Sequence, residues 1–279
     1  MSTVQTPVDS PPLAQFLTGR EAHLSGARSP VAFEWGDFVT APATRVAGAP
    51  GLWSPAPAGV AGLRVTVAPD DAVEIGGTLV EHTAVLYADA VDGPSVARFG
   101  NGAEGVIFSY DGTRHALQVW NSHRAAARRF AGAARFDEAD HPSGAAPWVV
   151  EATVHAAPQR TVTITHVRDP RPVEVPVAAV IRFVLRGEHV ALLATADGDG
   201  LRVHFTDATT GVDSVGSGRT LRLPAPVEGR VVVDLRRAVL LPCAFSPAWN
   251  CPLPPVENRI PVRVEAGERH PVTVDGAPL

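Results

Sequence analysis

The sequence predicts an all-β protein: a mainly antiparallel barrel or sandwich with one short helix near the N-terminus. Three observations carry this. About a dozen segments alternate apolar and polar residues with period two, whereas one stretch keeps a helical period. Short glycine-bearing turns separate several of these segments. Hydrophobic residues make up 45% of the 279, enough for a real core.

In chain order, residues 1–12 are rich in Pro, Ser and Thr, and residues 1–10 are expected to be disordered. Ser10 can cap a helix that opens on Pro11 and Pro12, where a fixed φ suits the first turn. Leu13, Phe16, Leu17 and Leu24 share one face, and Gly26 is a stop, so a helix is expected at about 11–25. Strands are then expected at 63–67, 78–87, 105–110, 115–120, 148–156, 161–167, 177–185, 189–196, 201–207, 219–223, 230–235 and 261–267, several of them rich in β-branched residues. "YDGT" (110–113), "RGEH" (186–189) and "DGDG" (197–200) read as hairpin turns. "ATRVAGAPGLWSPAPAGVAG" (43–62) looks like a linker. Residues 11–279 therefore read as a single mainly-β domain, with two packed β halves at about 11–125 and 126–279 as a variant.

The 24 basic residues include no lysine. That excludes a Schiff-base lysine, a pyridoxal-phosphate lysine and a Walker lysine. The net charge is −5 and the arginines are scattered, which argues against nucleic acid and against an anionic membrane as partner. No apolar run approaches the roughly 20 residues that span a bilayer. The N-terminus lacks a charged and an apolar signal region, so a cytoplasmic location is expected. There Cys243 and Cys251, the two cysteines, would be reduced thiols. The ten histidines are dispersed, and the cysteines fall outside zinc-ribbon spacing. No metal and no cofactor are expected. "GVDSVGSGRT" (211–220) fits neither a dinucleotide fingerprint nor a P-loop and reads as a hairpin loop. "HPSG" (141–144) lacks a catalytic partner.

Three charged residues stand out. Asp207 ends one expected strand and Arg219 begins the next, so the two are candidates for a cross-strand ion pair or for a loop mouth in which Arg219 orients a substrate. Glu268 follows Gly267, which permits a turn that aims the next side chain. Its bland role is to pair with Arg259 or Arg236 and pin the preceding segment. That segment, "PCAFSPAWNCPLPPVENR" (242–259), is stiffened by Pro242, Pro247, Pro252, Pro254 and Pro255. It is expected to be a strap packed by Phe245, Trp249 and two thiols acting as small hydrophobes.

"CAFSPAWNCPLPPVENRIPVRVEAGE" (243–268) closely resembles the C-terminal signature of a bacterial family known as domain of unknown function 1684. The matching positions are Cys243, Ala244, Phe245, Cys251, Pro252, Leu253, Pro255, Asn258, Ala266, Gly267 and Glu268. Phe205, Asp207, Thr209, Gly211 and Arg219 in "HFTDATTGVDSVGSGRTL" (204–221) are similar to the family's glycine-loop segment. Weaker resemblance reaches "FAGAARFDEADHPSGAAPWVVEA" (130–152) and "REAHL" (20–24). It implies a β-rich cytoplasmic or lipoprotein module and no particular reaction. The chain departs from the family pattern at Arg236 and Leu240, where asparagine is usual, and at Ser214-Val215, where Thr-Tyr is usual.

These changes toward aliphatic residues suggest an apolar pocket. The expected function is a cofactor-free enzyme that isomerises or cyclises a largely apolar small molecule. In it Asp207 or Glu268 would be the acid or base, and Arg219 the hydrogen-bond donor. Val215, Leu240, Cys243, Phe245, Trp249 and Asn258 would form the binding surface. The alternatives are a non-catalytic small-molecule-binding protein and a structural or interaction module. The sequence sets no oligomeric state.

Overall fold

The structure, a computed structural model, describes residues 11–136, 148–277 and 279. The N-terminal ten residues, the Ser10 cap and "HPSG" lie outside them. The protein is mainly antiparallel β, with α1 (Leu13–Ser25) near the N-terminus. It divides into two compact units. One is His23–Phe130, and the other joins residues 11–22 to Ala131–Leu279.

The His23–Phe130 unit is a two-sheet sandwich. β1 (Phe33–Phe38), β2 (Thr44–Val46), β3 (Ala49–Pro55), β4 (Gly62–Thr66), β5 (Val73–Ile75), β6 (Thr78–Leu79), β7 (Thr83–Tyr87), β8 (Val96–Phe99), β9 (Glu104–Ser109) and β10 (His115–Trp120) precede the short α2 (Ala125–Arg129). One sheet runs β1-β10-β9-β8-β5-β6 and the other β2-β3-β4-β7. Trp53, Leu63, Val65 and Leu86 from the smaller sheet pack with Phe99, Ile107, Leu117 and Val119 from the larger. The stretch 43–62 is thus no linker. Its glycines and prolines frame β2 and β3 and place Trp53 in the core, fully buried. "TLVEHTAVLY" is likewise not one strand. It divides into β6 and β7, which join different sheets.

The second unit contains β11 (Phe130–Arg135), β12 (Val149–Ala156), β13 (Thr161–Ile164), β14 (Val173–Pro176), β15 (Ala179–Leu185), β16 (Glu188–Asp197), β17 (Gly200–Phe205), β18 (Arg219–Leu223), β19 (Arg230–Asp234), β20 (Val239–Leu240) and β21 (Glu268–Thr273). Its main sheet runs β19-β12-β15-β16-β17-β18-β20, with β11-β21 and β13-β14 as two-stranded additions. Trp148, Ile181, Phe183, Leu192, Val203, Phe205 and Leu221 fill the core on one face. The opposite face of β15 and β16 is covered as well: Val180 and Leu193 pack with Val162 and Val177. This explains why β15 and β16 carry apolar residues at both parities, as strands buried on both faces do. The expected turn at 186–187 is present, with both Arg186 and Gly187 at positive φ, the backbone of a two-residue primed turn.

The expected strand at 261–267 does not form. Residues 206–218 and 241–267 run outside the ladders except for isolated bridges such as Thr206 with Arg259. Buried backbone groups there need other partners; isolated backbone bonds such as Thr206 to Asn258 and Ala208 to Val262 provide some, and polar side chains provide others.

Candidate functional site

Arg219 opens β18 and is wholly excluded from solvent (0% exposed). Its Nη2 donates to Asp207 Oδ2 at 2.7 Å and to the carbonyl of Val264 at 2.8 Å. Its Nη1 donates to the carbonyls of Ala266 and Glu268. The guanidinium also lies 5.4 Å from the Phe205 ring centroid, within cation–π range. Burial pushes the Arg219 pKa down, while the Asp207 charge opposes that shift. Asp207 spends its other oxygen on backbone: Oδ1 accepts from the amides of Thr209 (2.7 Å) and Val264 (3.1 Å). Thr209 and Ser214, both buried, join hydroxyls at 3.0 Å.

Glu268 adjoins this cluster. Gly267 takes φ +79°, and a Cβ there would meet the Ala238 carbonyl at 2.5 Å, so only glycine fits. The turn sends Glu268 inward, where Oε2 accepts the Leu240 amide at 2.8 Å. Its ion-pair partner is neither Arg259 nor Arg236. Arg20 of α1 forms a two-pronged pair with it, at 2.8 and 3.0 Å, and lies over the Phe245 ring. Arg236 instead folds back onto Asp234 at 2.8 and 2.9 Å. Together with Arg237, which faces the Phe16 ring, Arg20 fastens the first turns of α1 to this unit.

Asn258 acts as a surrogate strand. Pairing between β16 and β17 is confined to the hairpin end, Thr195–Asp197 with Gly200–Arg202. Past it, Asn258 Oδ1 accepts the Leu193 amide at 2.7 Å. Its Nδ2 donates to the carbonyls of Leu193 and His204, each at 2.8 Å. The proline strap is thereby stitched to the sheet, and Leu253 adds a bond from its amide to the Thr165 carbonyl.

Beneath the strap lies a partly open cavity of about 160 Å³. The β13–β14 hairpin contributes Val162, Ile164 and Val175, β16 contributes Leu193 and Thr195, and the strap contributes Pro252, Leu253 and Pro255. Arg202, His204 and Asn258 supply polar groups. Arg202 is held by Asp197. Burial, with the Arg202 charge second, pulls the His204 pKa down to about 4, so its imidazole is neutral at neutral pH. Its Nδ1 is buried and has no hydrogen-bond partner among the described residues.

Of the residues singled out from sequence, Asp207, Arg219 and Glu268 come together, but as a buried network away from this cavity's lining. Asn258 lines the cavity. Val215, Leu240, Cys243, Phe245 and Trp249 do not. Val215 is half-buried and its amide donates to the Arg269 carbonyl, while Leu240 is buried and pairs with Arg219 in the sheet. His204, Thr195 and Arg202 were not anticipated. The available signal was "LRVHF": with Leu201, Val203 and Phe205 inward, Arg202 and His204 must share the other face. Apolar residues at both parities in "VAAVIRFVL" implied that this face is covered.

The fold and these contacts define a class: an antiparallel β unit whose irregular C-terminal strap is held by buried ion pairs and an asparagine stitch. Residues 134–269 match the family model described as Protein of unknown function (DUF1684), and the chain belongs to that family. The match lies wholly within the second unit and includes the network, the cavity's polar residues and both cysteines. "REAHL", with Arg20, falls outside it. The solution NMR structure of an uncharacterized protein from gene locus rrnAC0354 of Haloarcula marismortui is 32% identical. That match covers 50% of this chain and 77% of the other, with a TM-score of 0.40. No curated protein matches the chain.

Proposed function

We propose that the second unit binds a small, largely apolar molecule beneath the proline strap. The observation that carries this reading is the cavity: apolar walls on three sides with a few polar groups at defined positions, the usual composition of a ligand site. Its volume of about 160 Å³ is close to that of an apolar cavity known to admit benzene, about 150 Å³. The ligand class is therefore a single ring or a short branched chain with one hydrogen-bonding group, which His204 or Thr195 would meet. Binding ranks ahead of catalysis because, among the described residues, no carboxylate and no thiol lines the cavity. A neutral imidazole with its pKa near 4 is also a weak base at neutral pH.

The test is a titration with toluene, phenol and indole, followed by chemical-shift changes of the Leu193, Thr195 and His204 amides. Saturable shifts are expected in the native protein. They should vanish in Val175→Trp, which fills the cavity, with the melting temperature kept within a few degrees. Absence of saturable shifts, or equal shifts in the filled variant, would overturn the reading.

A further inference from the structure

Cys243 and Cys251 lie outside the cavity, and nothing in the binding reading uses them. Cys243 is half-buried and Cys251 is buried, and both are free thiols. The eight-residue separation does not hold them apart. Cys243 sits in a tight turn, Pro242–Ala244, and its backbone amide donates to Cys251 Sγ at 3.2 Å. The loop between them is already closed: the amides of Phe245 and Ser246 bond to the Pro242 carbonyl, and Trp249 bonds to Ser246. Past Cys251 the chain is fixed as well, since the Cys251 carbonyl accepts the Val167 amide.

Here the Cys251 thiol, followed by Ser217, pulls the Cys243 pKa down to about 7 against the effect of burial. The Cys251 pKa moves up, because the neighbouring Cys243 sulfur and a dry site both disfavour a second thiolate. Near pH 7 the more accessible sulfur, that of Cys243, is thus divided between thiol and thiolate, beside the Cys251 thiol. That is the arrangement of an attacking and a resolving cysteine.

We propose that Cys243 and Cys251 form a hydroperoxide-reactive dithiol that closes to an intramolecular disulfide. The Cys243 thiolate attacks the distal oxygen of the hydroperoxide. The oxygen–oxygen bond breaks, the alcohol or water leaves with a proton from solvent, and Cys243 becomes a sulfenic acid. The Cys251 sulfur then attacks Cys243 sulfur. An S–S bond forms, the sulfenic oxygen leaves as water with the Cys251 proton, and two electrons have passed from the thiols to the peroxide. Because Pro252 and Leu253 line the cavity, the new bond would fix the strap directly beside them.

The experiment exposes the native chain to hydrogen peroxide and reads intact mass, free thiols and a peptide map. The expected result is a loss of two hydrogen atoms, two thiols gone, and one peptide pair joined through Cys243 and Cys251. A sulfenic-acid trap should label Cys243 in Cys251→Ala and label nothing in Cys243→Ala. Should either variant fail to fold, iodoacetamide on the native chain still discriminates: Cys243 should react roughly tenfold faster than Cys251, with a rate rising through about pH 7. Two thiols surviving peroxide in the folded protein, oxidation of single cysteines without a bridge, or a bridge formed only between chains would each overturn the proposal.

Discussion

The two units solve one problem in opposite ways. Among the described residues, the sandwich of His23–Phe130 buries two polar side chains, Ser29 and His115. The second unit buries nine, including Asp207, Arg219, Asp234, Asn258 and Glu268. Between its first and last strands the sandwich leaves its ladders only for short turns and loops, the longest being residues 88–95, so most backbone groups satisfy one another and the core can be apolar. The second unit sends 206–218 and 241–267 outside any ladder, and buried amides and carbonyls left unpaired cost about 1–3 kcal/mol each. The lesson is that its charged core residues are substitutes for absent strands. Arg219 donates to three carbonyls, Asp207 accepts from two amides, Glu268 accepts from one, and Asn258 accepts from an amide and donates to two carbonyls.

The contrast can be broken at several points. The largest effect is expected for Arg219→Met, which strands the Asp207 charge and three carbonyls in the core. Breaking a buried pair from one side costs about 3–5 kcal/mol, so denaturant unfolding of the second unit should shift by about that amount. A change under about 1 kcal/mol would mean that the network is not structural.

The next effect is a pH dependence. The folded His204 pKa is near 4, below the ordinary value of about 6.5. Between these values the unfolded chain binds a proton that the folded chain does not, so stability rises with pH across pH 4–6.5. Going from pH 7 to pH 5 should cost about 2 kcal/mol through this residue. A His204→Phe variant should lose that part of the slope, and an unchanged acid slope would count against the burial assigned to His204.

The smallest effect belongs to the sandwich. Arg98 reaches Glu104 at 3.6 Å on the surface, where such pairs contribute about 0–1 kcal/mol. Arg98→Ala should leave stability within about 0.5 kcal/mol, and a large loss would blur the distinction between the units.

The ladders were the legible part of the sequence. β10 and β18 fall on the expected residues, because strict alternation and flanking turns mark both. β2 and β3 were illegible, since the glycines and prolines that shape them are also what a linker contains. The most instructive miss is "PVRVEAG". Its alternation is real: Val264 and Ala266 are buried and Arg263 is exposed. Period two reports which side chains face inward, and it is silent on what the backbone bonds to. Here the Val264 amide goes to Asp207, while the Val264 and Ala266 carbonyls go to Arg219. The site was legible in part for the same reason. Asp207 and Arg219 stood out as opposite charges at neighbouring strand ends, Glu268 as the charge after Gly267 and Asn258 through the family resemblance, but a sequence does not say whether such a group faces a ligand or a backbone. Arg20 was beyond reach, because it meets Glu268 across 248 residues.

Hydrogen exchange of four amides tests the substitution directly. Leu193, Thr209, Val264 and Leu240 donate to Asn258, Asp207, Asp207 and Glu268, respectively. If these side chains stand in for strands, the four amides should open only with the global unfolding of the second unit, with protection equal to that of β15 and β16. Exchange at the rate of exposed loop amides, while β15 and β16 stay protected, would contradict the account.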